Sequence, residues 1–279
     1  LLVGVPGLAK TRLVETLGAV LGLDSRRIQC TPDLMPADIL GSEVLEEGEG
    51  GRRSFRFIKG PVFTQLLMAD EINRASPRTQ SALLQAMQEH EVSVAGRAWL
   101  LPAPFHVLAT QNPLEQEGTY PLPEAQLDRF LLQIDVGYPD ADAERQMLLA
   151  TTFLADEKPA RMMDGAALQR AQLLVRELPV GESVLEAILA LVRAGRPGIS
   201  TRGDIVRHIA WGPGPRASQA LTLAARARAL LQGRPSPSVD DVLALAPAVL
   251  RHRMALTFAA RADGLTVAQV IDLLCEPLR

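Results

Sequence analysis

Apolar residues in the first half of the chain follow two alternating rhythms. Short apolar runs at Leu1–Val3, Arg27–Cys30, Leu66–Asp70, Phe105–Thr110 and Leu131–Val136 read as strands. Between them lie stretches with helical spacing. One starts after Lys10, one is opened by Ser76 as N-cap with Pro77 in its first turn, and a short one lies near Pro123–Phe130. Strand and helix in alternation predict an α/β layered fold on a mostly parallel, five-stranded sheet. Two insertions break the plan: Arg52–Ile58 after the glycine-rich Gly48–Gly51, and Glu91–Leu101, where Ala95-Gly96 separates two alternating runs. Both are expected to be β-hairpins.

From about Asp140 the strand rhythm fades. Apolar spacing of three and four takes over, as in Val184, Ile188, Leu191 and Val192. This half is expected to be all-helical, with one helix beginning at Gly181–Ser183 and another ending at Gly233. Capping boxes are read at Ser238/Asp241 and Thr266/Gln269. The expected organisation is therefore an α/β domain over 1–152 and a helical domain over 160–279. The chain opens without methionine, inside a very short apolar run, so natural residues are expected upstream.

Composition narrows the function. With 47% hydrophobic residues the chain can build a core, and a formal net charge of −3 argues against a polyanion-binding surface spread over the whole protein. Aromatic content of 4% leaves no stacking platform for single-stranded nucleic acid, and Trp99 and Trp211 read as packing residues. The two cysteines, Cys30 and Cys275, exclude a disulfide framework and favour a reducing cytoplasm. His90, His106, His208 and His252 show no metal-ligand spacing. The acidic run Glu43–Glu49 reads as a solvated loop. No run is long and apolar enough to span a bilayer. Only three lysines accompany 26 arginines, which makes Lys10, inside a motif, informative.

That motif is GVPGLAKT: Gly4, Val5, Pro6, Gly7, Leu8, Ala9, Lys10 and Thr11. It follows an apolar run and precedes a helical stretch, the setting a phosphate-cradling loop requires. Glycines let backbone amides turn inward at the helix N-terminus, the lysine reaches the β and γ phosphates, and the threonine hydroxyl coordinates Mg²⁺. Ala9 stands where a glycine is usual. A second motif, Leu66–Glu71, ends an apolar strand in two carboxylates: Asp70 suits Mg²⁺ and Glu71 suits polarisation of an attacking water.

These motifs, together with Thr31–Leu45, Ala69–Ala75, Ala109–Pro113, Gly118–Phe130, Gly212–Leu221 and Val249–Met254, closely resemble the MoxR family of AAA+ ATPases. The resemblance runs through nearly the whole chain. It implies an AAA+ P-loop αβα sandwich with a helical lid, binding ATP and Mg²⁺. It also implies that Asn112 is sensor 1, that Arg129 is an arginine finger for a neighbouring subunit, and that Arg216 is the lid's sensor 2. Arg196 and Arg202 remain rivals for that last role. The family further implies a ring, hexameric by expectation, that remodels client enzymes or inserts their metal cofactors beside a von Willebrand factor A domain protein. Two other classes stay open at this stage. A nucleic-acid motor would need basic pore hairpins, and Glu91–Leu101 offers only Arg97. A non-hydrolysing nucleotide-gated scaffold would be favoured by loss of Glu71 or Asn112, and both are present.

Overall fold

The computed structural model of the chain describes residues 1–47, 53–115, 117–152 and 159–279. In chain order the first elements are β1 (Leu2–Val3), α1 (Lys10–Leu21), β2 (Ser25–Gln29), α2 (Pro36–Leu40), β3 (Gly41–Glu47), β4 (Arg53–Lys59), β5 (Leu66–Asp70), α3 (Pro77–Glu89), β6 (Glu91–Val94), β7 (Arg97–Leu100) and β8 (His106–Gln111). There follow α4 (Glu124–Leu127), β9 (Ile134–Asp135), α5 (Ala141–Thr152), α6 (Gly165–Glu177), α7 (Glu182–Ala194), α8 (Gly203–Val206) and β10 (Ile209–Trp211). The chain ends with α9 (Pro215–Leu231), α10 (Val239–Leu250), β11 (Ala255–Leu256), α11 (Phe258–Ala262) and α12 (Val267–Cys275). The contacts divide it into two compact units, one of 1–122 with 135–169 and one of 123–134 with 170–279.

The first unit is built on a five-stranded sheet of order β2-β5-β8-β1-β9. The pairings β2 with β5, β5 with β8 and β8 with β1 are parallel. Every residue of β5 is buried, so this strand carries no polar-out rhythm and reads as a continuous apolar run up to its terminal carboxylate. Val14 of α1 packs with Leu2, Leu66 and Met68, which seats that helix on the sheet. Ser76 accepts from the Thr79 N–H at 3.3 Å and starts α3 as the sequence predicts.

Of the two insertions expected to be hairpins, only Glu91–Leu101 folds as one by itself; Arg53–Ile58 lies within the single strand β4, whose partner is the upstream β3. β6 and β7 pair antiparallel around Ala95 and Gly96, whose φ of 50° and 76° supply the left-handed pair that a two-residue turn requires. The other hairpin pairs β3 with β4, and Gly48–Gly51 and Arg52 lie outside the described residues. Here the sequence expectation needs correction, because Glu43–Glu47 is strand and not loop. The acidic strand faces a basic one: Arg56 pairs with Glu46 at 3.0 Å, and Arg53 lies 3.8 Å from Glu47. The last sheet strand is also shorter than Leu131–Val136. The Leu131 carbonyl accepts from Arg253, and the Gln133 N–H donates to Ala248 O at 2.8 Å, so those residues are committed outside the sheet.

The second unit is helical apart from the short pair β10 and β11. Its core gathers Ile188, Leu191 and Val192 of α7, Leu221 of α9, Val242 and Leu250 of α10, and Ile271 of α12. Asp241 accepts from the Ser238 N–H at 2.8 Å, and the Thr266 N–H donates to Gln269 at 2.8 Å, so both capping boxes form. Cys30 and Cys275 are free and buried. Among the described residues no helix is long and apolar enough to cross a membrane.

Candidate functional site

Parallel pairing sets the C-terminal ends of β1, β5 and β8 side by side, the edge at which open α/β sheets bind ligands. Leu2 lies level with Thr110 and Ala69 with Ala109, so the residues that follow these strands emerge together. After β1 comes the glycine loop. The Gly4 N–H donates to Gln111 O at 3.1 Å, and a Cβ on Gly4 would lie 2.5 Å from the Val136 carbonyl, so only glycine fits there. Gly7 and Ala9 are left-handed, with φ of 84° and 54°. Those turns curl the loop around the Lys10 ammonium, which donates to Gly4 O at 2.5 Å and Val5 O at 2.8 Å. No side chain caps the N-terminus of α1, so its first amides stay open for an anion.

The carboxylates stand opposite this loop. Asp70 ends β5, and its Oδ1 accepts from the Thr110 hydroxyl at 2.5 Å while its Oδ2 accepts from Arg27 Nη2 at 2.5 Å. The same Thr110 oxygen accepts the Glu71 N–H at 2.8 Å. Glu71 has a left-handed backbone, φ 54°, and its Oε2 accepts from Gln29 at 2.9 Å and from Arg74 at 3.2 Å. Asn112 follows β8, is 5% exposed, and accepts the Leu114 N–H at 3.1 Å. Pro6 to Thr11, Asp70, Glu71 and Asn112 line one cleft of about 870 Å³. Burial and these two carboxylates raise the Cys30 thiol beside them to a pKa of about 12, which keeps it protonated and inert.

The cleft suits a nucleotide phosphate with its divalent ion. Open amides and a lysine offer positive charge, and Asp70 Oδ1 has a lone pair beyond the Thr110 hydroxyl, whereas Oδ2 accepts both Nε, at 3.2 Å, and Nη2 of Arg27. Among the described residues no three of His, Cys, Asp and Glu gather into a metal cage. Mg²⁺ ordinarily binds through one or two carboxylates plus substrate phosphates, and Asp70 and the Thr11 hydroxyl, which both line the cleft, are the residues that could hold it.

The other two sequence candidates belong to the second unit. Arg129 is exposed just after α4, and its guanidinium makes no hydrogen bond or ion pair among the described residues. Arg216, at the start of α9, lies 3.5 Å from Asp128. Of its rivals, Arg196 is engaged by Pro213 O at 2.8 Å, and the Arg202 N–H donates to Ser200 at 3.0 Å. Sequence reasoning missed Arg27, Gln29, Arg74 and Thr110. Arg74 and Thr110 stood inside motifs already singled out, whereas Arg27 and Gln29 reach the carboxylates only through the β2–β5 register, for which the sequence has no local signal.

A glycine loop and paired carboxylates on a sheet of this order, followed by a helical unit, define the AAA+ class of nucleotide-binding proteins. The sequence pattern of the ATPase family associated with various cellular activities matches residues 1–132, and that of an AAA lid domain matches 203–273. Chaperone MoxR1 of Mycobacterium tuberculosis is 43% identical over 273 residues, covering 98% of this chain and 71% of that protein. Protein MoxR of Methylorubrum extorquens is 34% identical, covering 92% and 78%. A crystal structure of a Cytophaga hutchinsonii protein superimposes with a TM-score of 0.89 at 36% identity, over 99% of this chain and 83% of the other. The chain belongs to the MoxR family of AAA+ ATPases.

Proposed function

We propose that the protein hydrolyses ATP as a ring of identical subunits in the cytoplasm, and that the ring remodels client enzymes or inserts their metal cofactors beside a von Willebrand factor A domain partner. The observation that carries the hydrolytic reading is the gathering of Lys10, Thr11, Asp70, Glu71 and Asn112 around one cleft. The chaperone name of the M. tuberculosis relative supports the client role.

Each side chain then has a task. The loop amides and Lys10 hold the β and γ phosphates, and Thr11 with Asp70 holds Mg²⁺. When held there, the ion would supply positive charge to offset that on the phosphoryl oxygens. Glu71 orients the attacking water and accepts its proton, and the Asn112 amide fixes that water from the other side. Arg129, exposed and unpaired among the described residues, is offered to the next subunit's phosphoryl group, while Arg216 senses nucleotide from the lid.

Two variants test the reading. Lys10→Ala should abolish ATP binding in a titration, because it removes the principal charge on the phosphates. Glu71→Gln should keep that affinity and lower turnover by roughly 10²- to 10⁴-fold, the ordinary worth of a general base. Unchanged affinity in the first, or unchanged turnover in the second, refutes the corresponding assignment.

A further inference from the structure

The Arg251-His252-Arg253 turn after α10 has no part in the reaction as set out above, yet it buries both an imidazole and a guanidinium. Arg253 is 2% exposed and His252 4%. A guanidinium so enclosed needs an acceptor for every donor. Arg253 finds most of them in one short stretch of chain. Its Nε donates to Asp128 Oδ1 at 2.9 Å, and its Nη2 donates to Asp128 O at 3.2 Å and Phe130 O at 2.5 Å. Its Nη1 donates to Leu131 O at 3.2 Å and to Val249 O at 2.6 Å. His252 Nε2 adds a second donor to Phe130 O at 3.0 Å.

The residue those carbonyls bracket is Arg129. The chain is therefore fixed immediately before and after it, while its own guanidinium is left exposed and unpaired among the described residues. A buried ion pair is a poor device for stability alone, because desolvation offsets most of its attraction and an apolar side chain of like volume would serve as well. What an apolar side chain could not do is fix three carbonyls in register.

We propose that Arg253 is a positioning residue for Arg129, clamping the backbone on both sides so that the free guanidinium is presented in one fixed direction. This inference rests on the reading of Arg129 as a finger used by a neighbouring subunit. Misplacing a catalytic group by about 1 Å can cost on the order of 10²-fold in rate, so the clamp acts on turnover and not on the subunit's own nucleotide pocket.

The test uses the full protein and three variants. Arg253→Lys keeps the charge and gives up the five-donor fork. It should leave the affinity for a fluorescent ATP analogue unchanged and lower turnover by roughly 10- to 100-fold. Mixing with Lys10→Ala subunits, whose fingers are intact, should restore turnover to the Arg253→Lys subunits. The double variant Arg129→Ala/Arg253→Lys should turn over at the rate of Arg129→Ala alone, since nothing is left to position. A further drop in the double variant, or a defect that mixing does not relieve, overturns the clamp while the finger stands. Wild-type turnover in Arg129→Ala overturns the finger and the clamp with it. Should Arg253→Lys fail to fold, Arg253→Gln, which keeps amide donors for the carbonyls, buries no charge and leaves the Asp128–Arg216 pair in place, is used instead. A loss relieved by mixing then supports the clamp, and a loss not relieved overturns it.

Discussion

Ala9 and Glu71 both hold φ at 54°, in the left-handed region that costs an L-residue about 1–2 kcal/mol. At Ala9 the strain follows from a substitution within the loop motif. Ala9→Gly should keep ATP affinity and raise stability by up to ~1 kcal/mol, the removed strain being partly offset by glycine's larger chain entropy when unfolded; a denaturant titration reads the change. At Glu71 the strain sits where the chemistry is proposed, and neighbours hold it in place. Thr110 is the hinge of that arrangement, donating to Asp70 and accepting from the Glu71 N–H. Thr110→Val should destabilise by about 1–3 kcal/mol, because it leaves a buried carboxylate oxygen and an amide each short of a partner. Thr110→Ser should melt close to wild type.

The element with the clearest electrostatic signature is the turn after α10. Its His252 is neutral, with Nε2 donating to Phe130 O and Nδ1 buried without a partner among the described residues. Burial foremost, and then the adjacent Arg253 charge, lower its pKa to about 3, against an upward pull from the Phe130 carbonyl. Unfolded, the same imidazole titrates near 6.5. Between those values the unfolded chain holds a proton that the folded chain refuses, so stability falls as pH drops below about 6.5, and the loss ends near pH 3. The slope should approach 1.4 kcal/mol per pH unit for this group. His252→Gln, which can still donate to Phe130 O, should flatten the decline in a series of denaturant titrations from pH 7 to pH 4. An unchanged slope would assign the acid sensitivity to other groups.

For the whole molecule, Arg129, exposed and without a side-chain partner among the described residues, matters most. If each subunit lends its finger to the next, an isolated subunit is a poor catalyst, and turnover per subunit should climb with protein concentration until rings are complete. Sedimentation and ATPase assays over the same dilution series should show activity and assembly rising together. Arg129→Ala should assemble over the same range without the rise in turnover. Activity independent of concentration down to the monomer would place the whole reaction within one chain.

Much of this was legible along the sequence, because the relevant physics is local. Glycine at positions 4 and 7, lysine next to a helix start, and an apolar run ending in Asp70-Glu71 specify strand, turn and helix within a few residues of themselves. Ser76 and Pro77 did the same for α3. Pairing across the sheet was not legible. Arg27 and Gln29 sit on a strand whose pattern gives no hint of its partner, and only the register of β2 against β5 brings them to Asp70 and Glu71. Glu43–Glu47 likewise looked like solvated loop until a basic strand lay alongside it. Arg253 shows the same limit over 125 residues: its charge argues for the surface, and only the folded chain supplies Asp128 and the carbonyls around Arg129 that make an arginine stable in the core. Local chemistry is carried by neighbours in sequence, whereas the partners of a buried charge are chosen by tertiary packing.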